Sequence, residues 1–230
     1  PLAVEAGADM IVVQGTVVTA RHSSKSLKGL VFADLIKDLD VPVLVGNTVS
    51  YEVTKELMQQ GIAGVMVGVG PGSVCTSREV LGIGIPQVSA TIECAAARDD
   101  YFKETGKYIP IITDGGIRTG GDVCKSFAAG ANAVMIGSPF AKTEEAPAKG
   151  FHWGMAAWHD SLPRGTRINM GTEYSLHQLL YGPSSRTDGT LNLVGALQIC
   201  MGYVGAENIR EMNKARMVYA PAIKTEGKIY

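Results

Sequence analysis

Five short runs of nearly unbroken apolar, mostly β-branched residues constrain this chain more than any other feature. They are Met10–Gln14, Val41–Val45, Gly64–Gly68, Ile109–Thr113 and Ala133–Gly137. A strand with one wet face alternates apolar and polar residues. A continuous run belongs to a strand covered on both faces, which is the habit of parallel sheets. Between the runs lie helix-like stretches, Phe32–Leu39, Ser50–Gln60, Val88–Thr105 and Asp122–Ala129. In the second, Val53, Leu57 and Met58 share one helical stripe, and Ser50 and Asp122 stand where N-caps are expected. Such strand–helix alternation predicts an α/β fold with a parallel sheet. One lead-in to a strand also recurs, as Glu5-Ala6-Gly7-Ala8-Asp9, Gln60-Gly61-Ile62-Ala63-Gly64 and Ala129-Gly130-Ala131-Asn132-Ala133. Repetition of one unit fits a (β/α)8 TIM barrel better than a doubly wound sheet. Five strands fall short of eight, which leaves an open sheet or a barrel whose first strands lie outside this chain.

Composition narrows the function. Apolar residues make up 46% and charged residues 19%, enough to bury a core and too ordered a mixture for a disordered chain. Lys plus Arg (21) nearly balance Asp plus Glu (22), so the net charge is −1 and no basic stripe points to nucleic acid or a membrane surface. Glycines interrupt every apolar run before it reaches spanning length. No signal peptide is visible, and Pro1 in place of Met suggests that the true start lies upstream. We expect one catalytic domain over residues 1–230, with a flap-like loop region at 148–190, a helix over 192–214 and a basic, extended tail. The four cysteines have neither C-x-x-C spacing nor a histidine cluster, which argues against zinc and for free thiols in a cytoplasmic protein. Cys94, Cys124 and Cys200 lie in helix-like apolar surroundings and read as inert. His22, His152, His159 and His177 read as structural, except that His152 and Trp153 directly precede Gly154-Met155 and are placed to line a pocket.

In parallel α/β folds the chemistry gathers at the C-terminal ends of the strands. Three of those ends are unusual here. Gly68-Val69-Gly70-Pro71-Gly72-Ser73-Val74-Cys75-Thr76-Ser77-Arg78 lets backbone approach a ligand or ion closely, then presents a cysteine among hydroxyls and beside Arg78, a setting that favours a nucleophilic thiolate. Thr113-Asp114-Gly115-Gly116-Ile117-Arg118 offers a carboxylate for a sugar diol and glycine amides for phosphate. Ile136-Gly137-Ser138 leads into a helix start and suits a phosphate. A glycine turn before a buried cysteine, or an N-cap before a tight turn, would explain any one of these alone.

Taken together, the Gly-x-Gly-x-Gly-Ser-x-Cys-Thr string and the downstream Asp-Gly-Gly-Ile-Arg resemble the IMP dehydrogenase/GMP reductase family, from about Glu5 to Arg210. The resemblance implies that Cys75 attacks C2 of a purine 5′-monophosphate to form a thioimidate, with hydride passing between C2 and NAD or NADP. It implies Ser73, Gly137 and Ser138 on the phosphate, Asp114 on the ribose with Gly115 and Gly116 packed close, and Gly154-Met155 on the base. It implies Asn47 and Gly68, Val69 and Gly70 on the nicotinamide side, and the carbonyls of Gly70, Gly72 and Cys75 around a monovalent cation, usually potassium. Ser77 takes the place of the family's catalytic threonine, keeping the hydroxyl without the methyl that stiffens its rotamer. A homotetramer is also implied. No tandem regulatory domain is visible in the residues supplied.

Several positions depart from the family pattern. Gln14 replaces an aspartate at the end of the first run, Met66 stands where a basic residue is usual, and the segment from Pro147 to Gly154 is short and expected to lack the family's small hairpin. The Arg-Tyr pair that activates water in IMP dehydrogenases does not occur in this sequence, and the glutamate that GMP reductases carry after Gly-Met is missing, Glu173 being the nearest downstream carboxylate. Hydrolysis needs a base, whereas expulsion of ammonia does not. The balance therefore favours GMP reduction with NADPH, with IMP oxidation by NAD as the alternative and a nucleotide-sensing paralogue as the third reading. A phosphate-binding isomerase or aldolase would need a lysine or carboxylate pair at strand ends, which the sequence does not offer.

Overall fold

In the computed structural model, residues 2–20, 29–154, 161 and 167–219 are described. Each expected run forms a strand: β1 (Ile11–Gln14), β2 (Val43–Thr48), β3 (Gly64–Val67), β4 (Ile111–Asp114) and β5 (Ala133–Met135). They form one parallel sheet in the order β1-β2-β3-β4-β5. Every strand pairs with the next in sequence and the order never reverses. A doubly wound sheet must reverse, so this is an arc of a (β/α)8 barrel.

Among the described residues ten helices accompany the strands: α1 (Leu2–Glu5), α2 (Phe32–Lys37), α3 (Tyr51–Gln59), α4 (Ser77–Leu81), α5 (Gln87–Thr105), α6 (Gly120–Ala128), α7 (Ser138–Ala141), α8 (Leu176–Tyr181), α9 (Leu193–Val204) and α10 (Ile209–Met212). Alternate strand residues point to opposite faces. Val43, Val45, Val65, Val67 and Ile111 meet Phe32, Leu57, Met58, Ile62, Ala90 and Cys94 of the helical layer in one core. A second core joins Ile117, Val123, Phe127 and Ala131 to Leu179, Leu193 and Met212, so the C-terminal helices close over α6.

Two local expectations change. Ser50 caps α3 as predicted, its Oγ accepting from the Val53 N–H at 3.4 Å. Asp122 is not the cap of α6. Thr119 is, and Asp122 completes a capping box by accepting the Thr119 N–H at 3.1 Å. The helix expected over 192–214 is two, because Gly205 adopts the left-handed conformation that ends α9.

The region after Pro147 is also more regular than expected. β6 (Phe151–Trp153) pairs antiparallel with β7 (Arg167–Asn169), a small ribbon whose strands both fall in the region read from sequence as a flap-like loop. Arg167 stacks over the Phe151 and Trp153 rings, with its guanidinium carbon 4.2 and 5.8 Å from their centroids. That stacking holds the ribbon without a large core of its own. Met155, Trp158, His159 and Arg164, like His22, lie outside the described residues.

Candidate functional site

One cleft at the C-terminal ends of the strands gathers the residues singled out from the sequence. It holds about 930 Å³ counting its solvent-open part, the scale of a small-molecule site. Gly68–Cys75, Ser77, Asp114–Arg118, Gly137, Ser138 and Gly154 line it, together with Asn47.

Close backbone packing explains the glycines. Gly68 has φ of +143°, and a Cβ there would lie 2.3 Å from the Asp114 carbonyl oxygen. Gly115 and Gly116 have φ of +92° and +79°, and side chains on them would strike Pro71. The turn after β4 thus slides beneath the cysteine loop, which brings Asp114 next to Cys75's neighbours. A Cβ on Gly154 would sit 3.1 Å from the Val74 carbonyl oxygen, so the end of the ribbon closes on the same loop. Within the loop the Cys75 N–H donates to the Gly72 carbonyl at 3.0 Å. Ser77 is buried at the start of α4, two residues from Cys75.

Asp114 sits in a network that sequence reasoning missed. Gln14 donates from Nε2 to Asp114 Oδ2 at 2.7 Å and to Asn47 Oδ1 at 2.8 Å. Asn47 donates from Nδ2 to the same Oδ2 at 2.9 Å and to the Gly68 carbonyl at 2.8 Å. Burial pushes the Asp114 carboxyl above the usual carboxylate range, and the two amides only partly counter it. The register of β2 on β3 shifts between Gly46 and Thr48. A bulge of this kind re-aims a side chain, and here it sends Asn47 to the face that carries Gln14 and Asp114. Gln14 at a strand end was a visible signal, but its partners lie 33 and 100 residues away.

Asn47 reaches the lining of the cleft, but its amide is shared with the protein itself. Both hydrogens of its amide are committed within the protein, so it has no donor left for a cofactor. Val69 is buried, so this part of the cleft is shaped mainly by the backbone from Gly68 to Gly70. This suits a flat ring by shape rather than by side-chain recognition. The oxygen-rich cysteine loop fits a monovalent cation: beside the Gly70, Gly72 and Cys75 carbonyls, Thr76 Oγ1 is buried with no partner among the described residues.

Three residues noted in the sequence take structural places. Met66 is wholly buried against Gly46, where an added Cβ would lie 2.4 Å from the Met66 Cβ, so it fills the sheet and takes no part in cofactor binding. Arg78 does not line the cleft; its Nη2 donates to the Ile85 carbonyl at 2.9 Å. Glu173 is held by Lys142 at 2.6 Å and Arg186 at 3.1 Å outside the cleft, so it does not replace the missing glutamate. The thiols of Cys94 and Cys124 are pushed up to about 12 by burial, in keeping with inert roles. His177 is structural, its Nδ1 lying 3.0 Å from the Gly182 carbonyl.

His152 faces the cleft from β6. Its Nδ1 shares a 3.0 Å hydrogen bond with Ser138 Oγ, and the Ser138 hydroxyl also touches that of Ser73. Three polar side chains from separate segments thus meet at one end of the cleft.

A parallel barrel arc with a glycine-framed cysteine and a strand-end carboxylate in one cleft is the class of α/β protein that the fold and site define, and comparison with known proteins gives its family. Residues 1–160 match the IMP dehydrogenase / GMP reductase domain. The chain is 42% identical, over 93% of its length, to an uncharacterized oxidoreductase of Mycolicibacterium smegmatis, and covers 58% of that protein. It is 40% identical, over 94% of its length, to the inosine-5′-monophosphate dehydrogenase of Aquifex aeolicus, covering 45% of that protein. The crystal structure of an IMP dehydrogenase/GMP reductase-like protein from Corynebacterium glutamicum superposes with a TM-score of 0.85 at 37% identity, over 94% of this chain and 56% of that one. The chain belongs to the IMP dehydrogenase/GMP reductase family. It spans roughly half the length of the relatives it matches.

Proposed function

We propose that the protein is a nicotinamide-dependent oxidoreductase acting at C2 of a purine 5′-monophosphate, and that it reduces GMP. The observation that carries this reading is the convergence in one cleft of Cys75, the Asp114 carboxylate and the Ser73–Ser138 hydroxyl pair, three groups that suit the base, ribose and phosphate of one nucleotide. In this reading Asp114 holds the ribose hydroxyls through the carboxylate oxygen that Gln14 and Asn47 leave available. Ser73, Ser138 and the backbone of Gly115, Gly116 and Gly137 hold the phosphate, and the Gly154-Met155 backbone meets the base.

The Cys75 sulfur adds to the electron-poor C2, the C2–amino bond breaks, and ammonia leaves with a proton. A nicotinamide held against the Gly68–Gly70 backbone would supply the hydride that C2 accepts, after which the C2–S bond breaks and returns the Cys75 thiolate. Ser77, buried beside Cys75, is placed to relay a proton at the leaving group. A potassium ion at the Gly70, Gly72 and Cys75 carbonyls would fix the loop that aims the thiol. GMP reduction is favoured over IMP oxidation because the sequence has no Arg-Tyr pair to activate water. We further propose a homotetramer in the cytoplasm.

The test follows nicotinamide absorbance of the intact protein with GMP and NADPH, and separately with IMP and NAD, beside Cys75→Ala. NADPH consumption with GMP that disappears in Cys75→Ala is expected. Turnover with IMP alone would reverse the direction, and nucleotide binding without turnover in either mixture would replace the enzyme by a sensor.

A further inference from the structure

We propose that His152 binds the 5′-phosphate and takes up a proton as it does so, making nucleotide affinity depend on pH; this rests on the nucleotide reading above. The imidazole closes the end of the cleft that Ser73 and Ser138 begin. Its Nδ1 is 3.0 Å from Ser138 Oγ, and its Cε1 and Nε2 edge lies over Gly137, where an added Cβ would be 3.0 Å from both atoms. That cradle is otherwise hydroxyls and backbone. α7 has only four residues, so the charge of a dianion needs another partner than its N-terminus. Among the described residues lining the cleft, only Arg118 and His152 can carry positive charge.

The surroundings leave the imidazole free to respond. Cys75 and Asp114 are the other titratable groups of the cleft. On β7 Arg167 stacks on Phe151 and Trp153, which alternation puts on the face of the ribbon opposite His152. After α7 Lys142 is engaged by Glu173. Partial burial lowers the pKa of His152 in the free protein, so it is neutral there near pH 7. A dianionic phosphate against the ring favours the imidazolium and pulls that pKa back up. Binding then carries a proton with it, and by linkage affinity falls as pH rises.

The experiment is calorimetry of the intact protein with GMP and with guanosine between pH 7 and 8.5, in two buffers of different ionisation enthalpy. In that range the phosphate, with a second pKa of about 6, stays a dianion. We expect the dissociation constant for GMP to rise by about three- to tenfold across this range with uptake of up to one proton. Guanosine should show neither effect. His152→Asn keeps a polar atom for Ser138 but cannot become charged, and should bind GMP more weakly at pH 7 with no pH dependence. Flat wild-type affinity without proton uptake, or pH dependence surviving in His152→Asn, overturns the proposal. Wild-type protein that ignores GMP at every pH overturns the nucleotide reading itself and this inference with it. The proton count on wild type decides the matter even if the variant does not fold.

Discussion

Gln14 shows how one side chain can set the electrostatics of a site. Its amide donates to a half-buried carboxylate whose side-chain partners among the described residues are two neutral amides, at 2.7 Å for Gln14. Glutamate has the same reach but no N–H, so Gln14→Glu would set two carboxylates against each other with one of them forced to stay protonated. The pair's raised pKa means the folded state binds more protons than the unfolded chain, so stability is lost as pH rises. We expect Gln14→Glu to cost about 2 kcal/mol at pH 8 and to recover much of that near pH 5, read as melting temperature against wild type at both values. An equal deficit at the two pH values would mean that residue 14 does not face Asp114. The Cys75 loop was legible from sequence because its residues are consecutive. The Gln14–Asn47–Asp114 network was not, since its members come from three strands and meet only when the sheet forms.

Among the elements, α6 does most to aim the turn after β4. Its capping box ties Thr119 to Asp122, whose Oδ2 also accepts the Arg118 N–H at 3.1 Å. At Gly120 an added Cβ would lie 2.3 Å from the Ala196 Cβ, so α9 packs directly on the first turn of α6. Removing the cap in Thr119→Ala should cost about 1 kcal/mol, or roughly 2–4 °C in Tm for a chain of this size. A Tm unchanged within error would show that packing by α9 holds the turn without the cap. Helix existence followed from periodicity, but the cap did not: Thr119 and Asp122 are both good N-cap types, and only backbone geometry chose between them. The ribbon of β6 and β7 escaped sequence reading for a related reason. Each strand is three residues long, too short for a period, and the pairing is held by an arginine over two rings.

For the molecule as a whole, the C-terminal region is built around the second core, and Glu173 is one of the ties at its surface. It links Lys142, just after α7, to Arg186, which lies beyond α8, and both partners hold its carboxyl below the usual carboxylate range. A depressed pKa contributes stability above the unfolded value, lost as pH falls through the folded one. Because the group is about a third exposed, Glu173→Gln should cost only about 0.5–1 kcal/mol at pH 7. Urea midpoints of mutant and wild type should converge as pH is taken below about 4. Nicotinamide turnover should be unchanged, and a large loss of turnover would return Glu173 to the reaction.

The sequence by itself determined the five strands of the parallel sheet, the family and the segments that carry the chemistry. All of these are written in contiguous residues, as unbroken apolar runs or as glycine-spaced motifs around one cysteine. Only the tertiary structure decided what the side chains do there: that Asn47 spends its donors on Asp114 and Gly68, that Met66 fills the sheet beneath Gly46, that Arg78 turns away from the cleft and that His152 joins the serines. Each of those roles depends on a partner distant in sequence, and a hydrogen bond or close contact has no sequence period to betray it.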